Sequence, residues 1–201
     1  MDFQDKSNLF KVRNTVLEMI ADRGYIVPQS ENVSFEEFVI KYGNNNLNIY
    51  INDEFKKKQI YIYFHNEQKA FGKKDLLNLF QETITKYKDE HINLIILLKD
   101  KENSSIAKEL GKEIYKNVEI FVKKYLIFNY SRHVYVPKHI LLTEEEEKEV
   151  LEKYNTSKGK FPKISKSDPI AKYYGMQSNQ ICKIIRKSPE VGEYIYYRLV
   201  R

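Results

Sequence analysis

Apolar positions at Leu9, Val12, Val16, Met19 and Ile20 recur at helical spacing, so the chain opens on an amphipathic helix. Ser7 is placed to cap its start, and Gly24 supplies the left-handed stop. Ser34-Phe35-Glu36-Glu37 is a capping box, in which hydroxyl and carboxylate each take an orphan backbone donor. It predicts a short helix ending near Tyr42, followed by a turn at Gly43-Asn44-Asn45-Asn46. Leu47 to Ile51 and Ile60 to Phe64 alternate with period two, and the charged stretch Asp53 to Lys58 joins them as a hairpin. Leu76, Phe80, Ile84 and Tyr87 mark a second long helix. Asn93 to Leu98 lacks polar alternation and reads as a strand buried on both faces. Ile106, Leu110 and Ile114 mark a third helix capped by Ser104 or Ser105, and Val118 to Val122 is a further strand. This order predicts a mixed sheet with helices packed on it.

The punctuation changes after Asn129. Val134-Tyr135-Val136-Pro137 reads as extended, and Thr143-Glu144-Glu145-Glu146 is a second capping box whose extra carboxylates suit the helix dipole. Asn155 to Lys160 is a polar loop. Asp168-Pro169 sets an N-cap acceptor before a first-turn proline, and Gly175 ends that short helix. Gln180 to Arg186 and Glu193 to Val200 form strands around Ser188-Pro189-Glu190-Val191-Gly192. The boundary falls between Asn129 and Val134. The expected architecture is an α+β, or mixed α/β, chain of two domains, 1–130 and 131–201.

Charge refines this division. The net charge of the 201 residues is +6, and Lys153 to Arg201 holds 11 basic against 3 acidic side chains. Such a basic piece is an electrostatic footprint for an acidic partner, nucleic acid or protein. A single cysteine, Cys182, excludes an internal disulfide framework and a zinc site of several thiolates. No apolar run approaches the ~20 residues of a membrane span. The opening residues carry neither a basic n-region nor an apolar h-region, so no secretory signal and an intracellular, soluble chain are expected.

Enzyme signatures are sparse. Gly72-Lys73-Lys74 lacks the upstream glycine of a phosphate loop, and Ser157-Lys158-Gly159-Lys160 lacks the following hydroxyl. His133 and His139 lie around Pro137 with no carboxylate or cysteine near in sequence, which reads as structural or surface histidine rather than metal ligation. Cys182 reads as a small core or edge residue. Asp53, Glu54 and Lys56 supply the letters of a metal-dependent nuclease. On an exposed hairpin link they lack both a second carboxylate and exclusion of water. Tyr173, Tyr174, Tyr194, Tyr196 and Tyr197 lie among basic residues, a pattern shared by single-strand binders and half-buried strand tyrosines. The residues alone therefore leave three classes: a binding module, a free-standing basic nucleic-acid binder and a divergent nuclease.

The order of motifs narrows them. His133-x-x-Val136-Pro137-x-His139, Leu142-Thr143-x-Glu145-Glu146, Phe161-Pro162-x-Ile164 and Asp168-Pro169-x-Ala171-x-Tyr173-x-Gly175 follow one another. Lys183-Ile184-Ile185-Arg186-x-Ser188-x-Glu190 and Tyr194-Ile195-x-Tyr197-Arg198-Leu199-Val200 complete the series. This part of the chain resembles the shared jaw subunit of cellular RNA polymerases, the fifth subunit of the eukaryotic enzymes, which has a counterpart in the archaeal polymerase. Leu9-Phe10-Lys11-Val12-Arg13, Glu18-Met19, Asp22-Arg23-Gly24-Tyr25 and Glu36-Glu37-Phe38 are similar to the opening of the eukaryotic form. The likeness is thin between 43 and 90.

The resemblance implies a non-catalytic subunit of DNA-directed RNA polymerase with no cofactor and no metal. It implies a C-terminal domain docked on the largest subunit, and an N-terminal domain, built on an inactive nuclease-like core, in the jaw near downstream duplex DNA. The family's jaw loop, of Thr-Pro-Ser-Ala type, falls at Asn103-Ser104-Ser105-Ile106 and here lacks the proline. The expected DNA-proximal residues are Lys99, Lys101, Asn103, Ser104 and Ser105. The expected subunit interface is Lys183, Arg186, Tyr194, Tyr197 and Arg198, with arginine and tyrosine as anchors. The implied location is the nucleus for a cellular protein, or a viral factory or virion for a large DNA virus; the lysine, asparagine and isoleucine usage admits both.

Overall fold

A computed structural model describes residues 3–42, 47–53, 58–65, 70–89, 91–99, 104–188, 190 and 192–201. The chain divides into two units, 1–128 and 129–201.

Helix α1 (Phe3–Asp22) buries Val12, Val16, Leu17, Met19 and Ile20. It begins earlier than expected, leaving Ser7 inside the helix rather than at its cap. The reason is aromatic: Phe3 meets Phe35 edge-on at 5.6 Å, and Phe10 meets Phe35 and Phe38 at 5.4 and 5.3 Å. Ring contact with helix α2 (Phe35–Tyr42) thus extends the apolar stripe of α1 by a turn. At the far end Gly24 stands at φ 86°, with Tyr25 N–H bonded to the Ile20 carbonyl and Gly24 N–H to that of Ala21. This is a Schellman stop, which needs a residue tolerant of the left-handed region. The Ser34–Glu37 capping box opens α2 as the sequence predicts.

The sheet of the first unit runs β1 (Ile49–Asp53), β2 (Lys58–Phe64), β3 (Asn93–Leu98), β4 (Val118–Val122), in that spatial order. The β1–β2 pair is antiparallel and the other two pairs are parallel, so the sheet is mixed. Helices α3 (Lys73–Tyr87) and α4 (Ser104–Leu110) supply the crossovers that parallel neighbours require. Leu94, Ile96 and Leu98 face these helices, packing with Leu76, Leu79, Phe80 and Ile106. The opposite face carries Ile49, Ile51, Ile60, Ile62, Ile95 and Leu97, all buried. On that face Arg23, just beyond α1, makes a bidentate pair with Glu119, 2.8 Å on each arm.

Period two also corrects one expectation. Asp53 lies in β1 opposite Lys58, not in an exposed link, and is 2% exposed. Ile49, Ile51 and Asp53 alternate onto the same side, so the strand carries the carboxylate onto its apolar face.

The second unit is a sheet ordered β5 (Lys138–Leu141), β7 (Ile181–Ser188), β8 (Gly192–Val200), β6 (Lys163–Ile164). β5 and β8 run antiparallel to β7, while β6 is parallel to β8. Val134 to Val136 is not extended. Val136 N–H closes a turn on the His133 carbonyl at 2.9 Å, after a short 3-10 turn at Tyr130–Arg132. Asn129 caps that turn by accepting from Ser131 N–H, so the chain is already bent where alternation alone predicted a strand. Extended structure starts after Pro137.

Helix α5 (Glu144–Lys153) opens on the Thr143–Glu146 capping box, and α6 (Pro169–Tyr173) on Asp168, whose carboxylate accepts from Ile170 and Ala171 N–H. One face of β7–β8 packs with Ile164, Ala171 and Met176. The other, through Ile181 and Leu199, packs with Leu142 and Val150. Cys182 is buried in the first of these layers.

Candidate functional site: the β7–β8 strand pair

Antiparallel register decides which side chains can act together. Arg186 stands opposite Tyr194, Ile184 opposite Tyr196 and Cys182 opposite Arg198, so these share one face. Lys183 stands opposite Tyr197 and shares the other face with Ile181 and Leu199. The five expected interface residues are therefore not one patch. Arg186, Tyr194 and Arg198 come together. Lys183 and Tyr197 turn away from them, and Tyr197 packs edge-on against Tyr154 and Phe161 at 5.8 and 6.0 Å.

Two residues outside the expected interface set join the first group. The Tyr196 ring lies beneath both guanidinium groups, 5.0 Å from Arg186 Cζ and 5.8 Å from Arg198 Cζ. It also stacks beside Tyr194 at 6.1 Å. Parity along β8 could have found it, because 194, 196 and 198 must share a face while 197 cannot. His139, brought alongside by β5, stands opposite Ile184, and its Nδ1 lies 2.7 Å from the Pro137 carbonyl. Burial pushes its imidazole below the ordinary histidine value. The Pro137 bond and Asp168 pull it back up, and the charges of Arg198 and Arg186 lower it further. Its environment links the histidine to both arginines.

The expected DNA-proximal residues lie at the other unit. Lys99 is exposed at the end of β3, and Ser104 and Ser105 are the exposed first residues of α4. Lys101 and Asn103 lie outside the described residues, as do Glu54 and Lys56 of the nuclease-like letters. Among the described residues no three His, Cys, Asp or Glu converge to hold a metal ion, and no helix is long and apolar enough to cross a membrane.

Fold and site together define a two-unit α+β chain whose distinctive surface is a cationic and aromatic strand pair. Two family models match it: RNA polymerase Rpb5, N-terminal domain, over residues 4–84, and RNA polymerase Rpb5, C-terminal domain, over 128–200. It is 32% identical to a Dictyostelium discoideum protein, DNA-directed RNA polymerases I, II, and III subunit rpabc1, covering 98% of each chain. It is 32% identical to the Caenorhabditis elegans RPABC1, covering 96% of this chain and 95% of the other. It is 28% identical to an Arabidopsis thaliana DNA-directed RNA polymerase subunit 5-like protein 1, over 98% of each. The chain belongs to the Rpb5 family of RNA polymerase subunits. It is a non-catalytic component of a multisubunit DNA-directed RNA polymerase.

Proposed function

We propose that the second unit docks this chain on the largest subunit of its polymerase, while the first forms part of the jaw beside downstream duplex DNA. The docking half rests on one observation: Arg186, Tyr194, Tyr196 and Arg198 share a face of the β7–β8 pair, and interface energy concentrates in arginine and tyrosine. The jaw half rests on the connection that leaves β3 at Lys99 and enters α4 at Ser104. It leaves from the carboxyl end of a parallel strand, the edge where open α/β sheets place their ligands. A lysine there contacts phosphate, which positions a duplex without reading its sequence. In a cellular organism the site of action is the nucleus, in keeping with the three eukaryotic relatives.

The full chain, tagged and expressed in its native source, is expected to co-purify with the other polymerase subunits, the largest among them. Purified full chain is then expected to capture the isolated largest subunit directly. Co-purification without direct capture would move the docking partner to another subunit. Partner chains encoded by a virus would move the location from nucleus to viral factory.

A further inference from the structure

Resting on the docking reading above, we propose that the Arg186–Tyr196–Arg198 face, and not the opposite face of the same strand pair, is the contact surface, and that it receives an acidic peptide segment of the partner, one carboxylate held between the two guanidinium groups.

The two faces differ in how far their charges are already satisfied. On the Lys183 face, Lys187 is 3.7 Å from Glu193, its register partner, and Tyr197 is engaged by Tyr154 and Phe161. On the other face no carboxylate of the described residues stands within ion-pair distance of Arg186 or Arg198. Asp168, the acid whose charge acts on neighbouring His139, has its carboxylate engaged by the amides at the start of α6. Arg186 instead packs its guanidinium over the Tyr196 ring, and Arg198 leaves its Nε buried with no acceptor. A buried cationic donor without a partner is unfavourable, so a partner that brings an acceptor to this guanidinium is favoured.

The ligand chemistry follows from the donors. A guanidinium presents a planar fork that matches a carboxylate, and packing over Tyr196 restricts both forks before the partner arrives. Less side-chain freedom is then lost on association. Tyr194, 40% exposed near the hairpin end and on the same face, offers an aromatic margin. A segment carrying acidic residues beside an apolar one fits this surface. A nucleic-acid backbone fits it poorly, because tracking successive phosphates needs a row of cations, whereas here two arginines flank one ring.

The test uses the full chain. Arg186→Gln with Arg198→Gln keeps the side-chain lengths and removes the charge; Arg186→Lys with Arg198→Lys keeps the charge and removes the fork. Lys183→Gln with Tyr197→Phe probes the opposite face. Each variant is checked for folding by circular dichroism, and its affinity for the isolated largest subunit is then measured. The Gln pair is expected to weaken capture about tenfold or more, the Lys pair to fall between, and the opposite-face pair to stay within about twofold. A hexaglutamate peptide is expected to bind wild-type chain, perturbing the Tyr196 ring resonances, and to compete with capture; a 20-base-pair duplex is expected to do neither. Loss of capture only in the opposite-face pair overturns the choice of face and leaves the docking reading intact. Hexaglutamate binding without any capture overturns the docking reading alone. Duplex binding in place of hexaglutamate, or no binding of either, overturns the carboxylate site.

Discussion

Glu147 of helix α5 accepts the backbone N–H of Ile181 at 2.6 Å, at the point where strand β7 begins. Its second oxygen pairs with Lys158, which also reaches the Asn179 carbonyl. One carboxylate, 6% exposed, thus ties the helix, the 158–160 turn and the first residue of a central strand. The dipole argument covers the rest of the acidic run, but not this residue. Glu147→Ala leaves the Ile181 donor unpaired and separates Lys158 from its counter-charge. It is expected to destabilise the second unit by about 2–4 kcal/mol, read by urea denaturation. Glu145→Ala, on the exposed side, is expected to change stability by less than about 0.5 kcal/mol.

Arg13 is a fully buried cation on α1. It pairs with Glu31 and donates to the Glu31 carbonyl at 2.7 Å, with its Cζ 5.0 Å from the Tyr42 ring centre. Removing the acid strands the guanidinium in the core. Glu31→Ala is expected to cost about 3 kcal/mol, more than Arg23→Ala at the partly exposed Glu119 pair. Denaturation midpoints of the two variants give the comparison.

The Cys182 thiol is pushed up to about 11, chiefly by burial. Since only the thiolate attacks, Cys182 is expected to resist a thiol-labelling reagent at pH 8 in the folded chain and to label within the mixing time in urea. Rapid labelling without denaturant would place the residue outside the core.

His139 gives a pH dependence whose sign is fixed by its shift. Its folded value lies below the ordinary 6.5, so the unfolded chain takes up the proton first. Stability that is present above about pH 6.5 is lost as the pH falls below it. The groups facing the ring are Asp168, Arg186 and Arg198, together with the Pro137 carbonyl. His139→Asn retains a donor for that carbonyl and no titrating group. The Tm advantage of wild type over this variant is expected to shrink between about pH 7 and about pH 5; a constant difference would contradict the shift.

For the jaw, polymerase assembled with Lys99→Ala and Lys101→Ala is expected to leave DNA faster as salt rises, by a similar factor on templates of unrelated sequence. An unchanged salt response would remove the loop from the duplex.

Elements with a local signature were legible in the residues. Both Ser/Thr capping boxes, the glycine stops at Gly24 and Gly175 and the buried strand Asn93–Leu98 depend on neighbours within a few positions, and the structure has them as predicted. What depends on distant residues was not legible. The early start of α1 needs Phe35, the bend at 133–136 follows the capped turn at Asn129, and the duty of Glu147 needs a strand 34 positions away. The site lies between these cases. Its arginines were visible, but grouping them required the pairing register, and choosing Tyr197 over Tyr196 ignored a parity that one strand already displays.

Strand β8 comes last in the second unit and yet lies between β7 and β6, and its Leu199 and Val200 complete both apolar layers. Among the described residues, β6 pairs within the sheet through β8 alone. During vectorial synthesis this unit therefore cannot close its sheet progressively. β6 and α6 emerge without the strand that links them to β5 and β7, and await residues 192–200. A premature stop in that stretch would remove the keystone of the sheet rather than trim its edge, leaving an aggregation-prone remnant of unpaired strands.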